Sequence, residues 1–190
     1  MKDLLLITPP FTQLNTPYPA TAYLKGFLNT KNISSYQIDL GIEVILEIFS
    51  KKGVTEIFNV KPKNLSENAH RIFALREEYI KTIDEVIAFL QNKKPTLARQ
   101  ICSMNFLPEA SRFNQLDDME YAFGNMGLQD KAKHLATLYL EDLSDYIIEN
   151  IDENFGFSRY AERLGRSANS FDELYQKPQS DKTFVDNFTV

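Results

Sequence analysis

Apolar positions change period several times along this chain, and each change marks a new element. Leu4 to Thr8 is an unbroken run of apolar or β-branched residues without a charge. That is the pattern of a parallel-sheet strand covered on both faces. Pro9 and Pro10 follow; they remove the next ladder donors and end the strand. Between Tyr18 and Asn29 the period becomes helical. Ala20, Tyr23, Leu24, Phe27 and Leu28 fall at i, i+3, i+4, i+7 and i+8, a single stripe. Thr16 can cap this helix and Pro17 suits its first turn. Ser35 to Leu40 is a second strand, ending near Gly41. Strand, crossover helix, strand predicts a right-handed parallel unit.

After Gly41, the residues Val44, Ile45, Ile48 and Phe49 predict a short amphipathic helix closed by Gly53. Val54 to Val60 suits a strand or a helical turn, and helix is the expectation. Pro62 sets a boundary. Asn64 with Glu67 reads as a capping box, opening a long helix whose stripe (Phe73, Ile80, Ile83, Val86, Ile87, Leu90) runs to about Asn92. Thr96 to Met104 and Leu116 to Phe123 predict two shorter helices, the second stopping at Gly124. Leu128 to Glu153 is the most periodic segment, with Leu128, Ala132, Leu135, Tyr139, Leu143, Tyr146 and Ile147 on one face. Ser158 to Leu164 suggests a further helical turn, and Ser170 with Glu173 a capping box for Phe171 to Tyr175. The last fifteen residues read as a tail, although Phe184, Val185, Phe188 and Val190 suit an element completed by further sequence.

Composition narrows the classes. A net charge of −5 without a basic stripe argues against a nucleic-acid surface. No apolar run approaches the length that spans a bilayer, and the N-terminal apolar stretch, stopped at Pro9, is not a signal peptide. One cysteine excludes an internal disulfide and fits a reducing cytoplasm. Fourteen phenylalanines are enough for a real core.

Candidate chemistry is sparse. Glu67 and His70 form an E-x-x-H pair, the spacing di-iron bundles use twice. Its only echo is Asp130 with His134, at the wrong spacing and with a shorter acid, so helix capping explains both pairs better than a metal. The acids Asp117, Asp118 and Glu120, and later Glu141, Asp142, Asp145, Glu149, Asp152 and Glu153, come without a calcium-loop pattern and read as solvated helix faces. Arg159, Arg163 and Arg166 recur at helical spacing and can hold a phosphate or carboxylate; pairing with the acids of the preceding helix is the expectation. Cys102 lacks a catalytic histidine context and reads as a small apolar residue. The carboxyl rim of the two strands is where an open α/β sheet takes a ligand. The 9–19 loop there has no glycine, so it is not a dinucleotide fingerprint. Asp39, at the end of the second strand, can contact a ligand hydroxyl or cap the next helix.

The residues Thr8-Pro9-Pro10, Thr16-Pro17-Tyr18-Pro19-Ala20, Tyr23-Leu24-Lys25-Gly26-Phe27-Leu28 and Gln37-Ile38-Asp39-Leu40-Gly41 carry a resemblance. Together they resemble the N-terminal cobalamin-binding region of radical S-adenosylmethionine enzymes. There a strand ends in a double proline, a proline-containing loop opens a Y-L-x-x-x-L helix, and the next strand ends in Asp. The segment Gly156-Phe157-Ser158-Arg159-Tyr160-Ala161-Glu162-Arg163-Leu164 is similar to the helical region before the main cofactor domain in one subgroup. The resemblance implies cobalamin as cofactor, with Pro9, Pro10, Thr16, Tyr18, Pro19 and Asp39 at its edge. The chain departs from the family in two ways. The [4Fe–4S] cluster that activates S-adenosylmethionine needs a C-x-x-x-C-x-x-C trio, and this chain has Cys102 alone. There is also no D-x-H-x-x-G to place a histidine under cobalt. Two strands, where a cobalamin domain needs about five, make the chain read as the front piece of a longer protein.

The expected fold is a partial Rossmann-like parallel βαβ unit over residues 1–61, then a mainly α-helical region over 62–176. Residues 177–190 are a tail or the start of a truncated element, and helix dominates. The expected function is the N-terminal module of a cobalamin-binding radical S-adenosylmethionine enzyme, without catalysis by this chain alone. Its partner is then the remainder of its own polypeptide. The alternative is a non-catalytic helical interaction module that keeps only half of an α/β fold, its long helices at 64–92 and 128–153 supplying a partner or dimer face. Neither reading involves nucleic acid or a membrane.

Overall fold

A computed structural model describes residues 4–10, 19–62, 65–103, 105–118, 127–153, 155–157, 170–176, 179 and 182–189. It is a helix-dominated α/β protein with a two-stranded parallel sheet at its N-terminus. Strand β1 (Leu4–Thr8) pairs with β2 (Ser35–Asp39) in a register that sets Leu4 opposite Ser35 and Thr8 opposite Asp39. Helix α1 (Ala20–Thr30) crosses between them, as the strand–helix–strand pattern predicts. Helix α2 (Leu40–Ile48) follows β2 directly. Contacts divide the chain into two compact units: Met1–Leu46 with Gly156–Val190, and Glu47–Phe155.

In the first unit most of the apolar stripe of α1 turns away from the sheet, although Leu28 is half-buried. Thr21 is the buried residue of α1; its hydroxyl accepts from Gln37 Nε2 at 2.9 Å, and Lys25 Nζ donates to the Ser35 carbonyl at 2.6 Å. Tyr23, Leu24 and Phe27 remain exposed. Leu4, Leu5 and Ile7 are exposed as well, so the expectation of a strand covered on both faces fails among the described residues. The reason is geometric. One crossover helix covers one face of two strands and leaves the other face and both edges open. The unit also holds a short helix at Phe171–Gln176 and a 3₁₀ turn at Val185–Thr189. Val185 is buried there and the Phe184 and Phe188 rings meet at 5.5 Å, so the end of the chain is structured rather than a plain tail.

The second unit carries the main core. Helix α3 (Lys51–Asn59) begins at Ser50, whose hydroxyl accepts from the Gly53 amide at 3.0 Å. Gly53 therefore lies inside a helix instead of closing one. A Cβ there would sit 2.3 Å from the Glu47 carbonyl oxygen and 2.5 Å from that of Ile48. Only glycine lets the first turn of α3 pass so close to the end of α2. The long helix expected at 64–92 is two: α4 (Glu67–Ala74) and α5 (Arg76–Leu90), interrupted at Leu75. A 3₁₀ turn at Pro95–Leu97 then leads into α6 (Ala98–Cys102), which packs on the long helix α7 (Leu128–Asn150). The break at Leu75 gives the two halves different main partners, α4 against α7 and α5 against α3. The α4 cap is Ser66, which accepts from the Ala69 amide at 3.2 Å; Asn64 lies outside the described residues. Ser66 is itself held by Glu149 of α7 through both its amide and its hydroxyl.

Where Leu116 to Phe123 predicts an α-helix, the chain forms a 3₁₀ helix over Ser111–Asp118, and residues 119–126 lie outside the described set. The α7 stripe is buried as its spacing predicts, apart from Leu128 at its exposed start. Phe58, Phe73, Tyr79, Tyr139 and Tyr146 form one ring cluster, with neighbouring centroids 5.0–6.3 Å apart.

Candidate functional site

Topology makes one rim out of residues far apart in sequence. β1 and β2 run parallel, so both end on the same side, and α1, returning antiparallel, starts there. Thr8, the last residue of β1, is 1% exposed and lies opposite Asp39; Pro9 and Pro10 continue from it. Pro19 stands at the N-cap of α1, which receives no side-chain cap, and its carbonyl accepts from the Tyr23 amide at 3.0 Å. Four of the six residues that the sequence assigns to a cofactor edge (Pro9, Pro10, Pro19 and Asp39) thus belong to one rim. The other two, Thr16 and Tyr18, lie outside the described residues.

Asp39 has a structural task here. Its Oδ1 accepts from the Ile42 amide at 3.2 Å, so it caps the first turn of α2. Among the described residues, the rim is made of proline rings, a buried threonine and one carboxylate. That chemistry fits contact with the edge of a large flat cofactor. The two histidines of the chain, His70 and His134, stand on α4 and α7 in the second unit.

Among the described residues, no three His, Cys, Asp or Glu side chains come together in a way that would hold a metal ion. Glu67 and His70 sit exposed on the first turn of α4. Cys102 is half-buried, with Sγ 3.6 Å from the Leu128 carbonyl oxygen, and burial pushes its thiol above its ordinary pKa. It has none of the character of a reactive thiolate. Arg99 borders a depression of about 460 Å³ lined with Pro95, Thr96, Ala98, Leu128 and Gln129. Arg159, Arg163 and Arg166 lie outside the described residues.

The acids of α7 do not all belong to a solvated face. Asp142 is fully buried, and its two oxygens accept from the Ala110 amide at 3.1 Å and the Arg112 amide at 3.2 Å. Burial raises its pKa from 3.8 to about 6, against those two amides, which lower it. One turn on, Asp145 takes the Arg112 guanidinium in a two-pronged pair at 2.8 Å and 2.8 Å. Together the two acids fasten the 110–112 turn to α7. The spacing holds the clue that composition hides: Asp142 lies three residues after Tyr139 and four before Tyr146, on the buried stripe itself. Nearby, the Tyr79 hydroxyl is buried without a hydrogen-bond partner, and burial and the Asp142 charge hold its pKa well above the usual phenol range.

Comparison with known proteins finds no matching family model, no matching curated protein and no matching solved structure. The class rests on the fold: an α/β protein built around one parallel βαβ unit and a helical body. No helix among the described residues is long and apolar enough to cross a membrane.

Proposed function

We propose that this chain is the N-terminal, cofactor-side module of a cobalamin-binding radical S-adenosylmethionine enzyme, with the remainder of its own polypeptide as its first partner. The observation that carries this reading is the convergence of Pro9, Pro10, Pro19 and Asp39 on the carboxyl rim of a parallel βαβ unit. Those are the residues through which the sequence resembles that family. Cobalamin, when bound, supplies methyl-transfer or radical-rearrangement chemistry. The chain's own contribution is to present a proline edge beside the Asp39 carboxylate, which caps α2. With one cysteine it cannot ligate the [4Fe–4S] cluster, so turnover belongs outside this chain.

The alternative of a dimerisation module working through the long helices has less support. Tyr79, Ile83, Val86, Leu135, Tyr139 and Leu143 are all buried within the second unit, which leaves those faces nothing to offer a partner. Anaerobic titration with hydroxocobalamin tests the proposal. A saturable change in the visible corrin spectrum is the expected result. An unchanged spectrum at large cobalamin excess would remove this segment as a binding site.

A further inference from the structure

Among the described residues, large apolar side chains stay exposed along the flank of β1. Leu5 is 58% exposed, and Tyr23 and Phe27 of α1 are 78% and 58% exposed. These are not scattered residues. Taking Thr21 as the arc of α1 that meets the sheet, Leu24, Phe27 and Tyr23 follow at about 60°, 120° and 160° round one side of the helix. Ala22, Gly26 and Asn29, small or polar, occupy the opposite side. With the right-handed crossover that sterics impose, the apolar side overhangs the free edge of β1 rather than that of β2. The helix stripe therefore lines the α1 side of that edge, while Leu5 and Ile7 line its other side, on the face that Tyr36 shares.

That flank has the features of a buried contact. β1 carries no charge, proline or bulge to discourage pairing, the devices by which exposed edges are normally protected. Residues 4–38 hold only two charges, Lys25 and Lys31, and both are engaged: Lys25 on the Ser35 carbonyl, Lys31 over the Phe27 ring at 5.6 Å. Leu4, Tyr23, Leu24 and Phe27 on the α1 side of the edge, with Leu5 and Ile7 on its other side, together expose roughly 600 Å² before the backbone edge is added, near the ~800 Å² each partner gives a standard interface.

We propose that a second copy of this chain covers the flank, β1 pairing antiparallel with β1 of that copy across a two-fold axis. A two-fold axis makes like edges meet antiparallel. Centred on Leu6, the register sets Leu5 against Ile7 of the second copy and yields a four-stranded sheet with both α1 helices on one face. Each α1 lies about half a strand spacing inside its β1, so the two axes stand about 10 Å apart, the distance at which helices pack. Their Tyr23, Leu24 and Phe27 stripes then face one another.

Sedimentation velocity on the full 190-residue chain between about 5 µM and about 200 µM tests this. The expected result is a monomer–dimer equilibrium in that range. A strict monomer at the highest concentration overturns the proposal. Tyr23→Glu with Phe27→Glu, at exposed helix positions that leave far-UV circular dichroism unchanged, is expected to weaken the dimer at least about tenfold. Ala22→Glu, exposed on the side of α1 away from the β1 edge, is expected to leave it intact. A dimer that survives the double substitution, or dissociates with Ala22→Glu alone, also overturns it. The flank is separate from the carboxyl rim, so cobalamin binding and dimerisation succeed or fail independently.

Discussion

Asp142 allows a sharp test of the helical unit. Its carboxylate is the acceptor for two amides of the 110–112 turn, yet burial raises its pKa from 3.8 to about 6. An acid whose pKa is raised by folding binds its proton more tightly in the folded state. Stability is then greatest below about pH 4 and is lost as pH rises through about 6. At full burial the loss is about 3 kcal/mol, and about 2 kcal/mol once solvent screening through the half-exposed Arg112 and Asp145 is allowed for. Asp142→Asn removes the titration but also one acceptor, because its amide nitrogen faces a backbone N–H; that costs about 1–3 kcal/mol. The two effects oppose each other at neutral pH and do not at acid pH. Urea unfolding followed by far-UV circular dichroism should therefore find the variant less stable by about 1–3 kcal/mol near pH 4 and close to the parent near pH 7. Other titrating groups cancel in the difference. If the two curves run parallel with pH, or the parent gains on the variant as pH rises, the reasoning about Asp142 is wrong.

Gly53→Ala should cost about 3 kcal/mol or more by the same unfolding assay, since the added Cβ meets two backbone carbonyls that cannot move without shifting α2 or α3. A loss below about 1 kcal/mol would mean that the two helices are less closely apposed. Tyr79→Phe should be neutral or stabilising by up to about 1–2 kcal/mol, as its hydroxyl is buried without a partner. Tyr139→Phe should instead cost about 1–2 kcal/mol, because that hydroxyl bonds the Tyr79 carbonyl at 3.1 Å and Thr82 Oγ1 at 3.0 Å. Equal responses to the two substitutions would contradict the arrangement of the ring cluster.

Period and punctuation carry most of the fold. The β1–α1–β2 unit follows from an apolar run stopped by two prolines and from a helical stripe before the next strand. Its parallel sense follows from crossover sterics. The burial of α7 follows from a stripe repeated over 23 residues. What the stripe of α1 does not disclose is where it points. Period identifies a helix, while Thr21 and Lys25 meet the sheet through bonds to Gln37 and Ser35 that no periodicity encodes. The interruption at Leu75 is hidden for a similar reason. Ile72, Tyr79 and Ile83 keep one stripe across it, and the helix turns because its two halves have different main partners. Residue type alone assigns Asp142 to water, although its position on the stripe argues for burial. The rim is legible through Pro9, Pro10 and Asp39 at strand ends. The buried Thr8 opposite Asp39 emerges only from the strand register.

The whole functional reading depends on β1 and β2 running parallel, with Thr8 beside Asp39. Cross-strand nuclear Overhauser contacts on a uniformly labelled sample measure this directly. The account predicts amide and Hα contacts that link Leu6 with Gln37 and Thr8 with Asp39, and no pairs of directly facing Hα protons. Facing Hα–Hα contacts that pair Leu4 with Asp39 would make the strands antiparallel, separate Pro9 from Asp39, and contradict the rim and the function built on it.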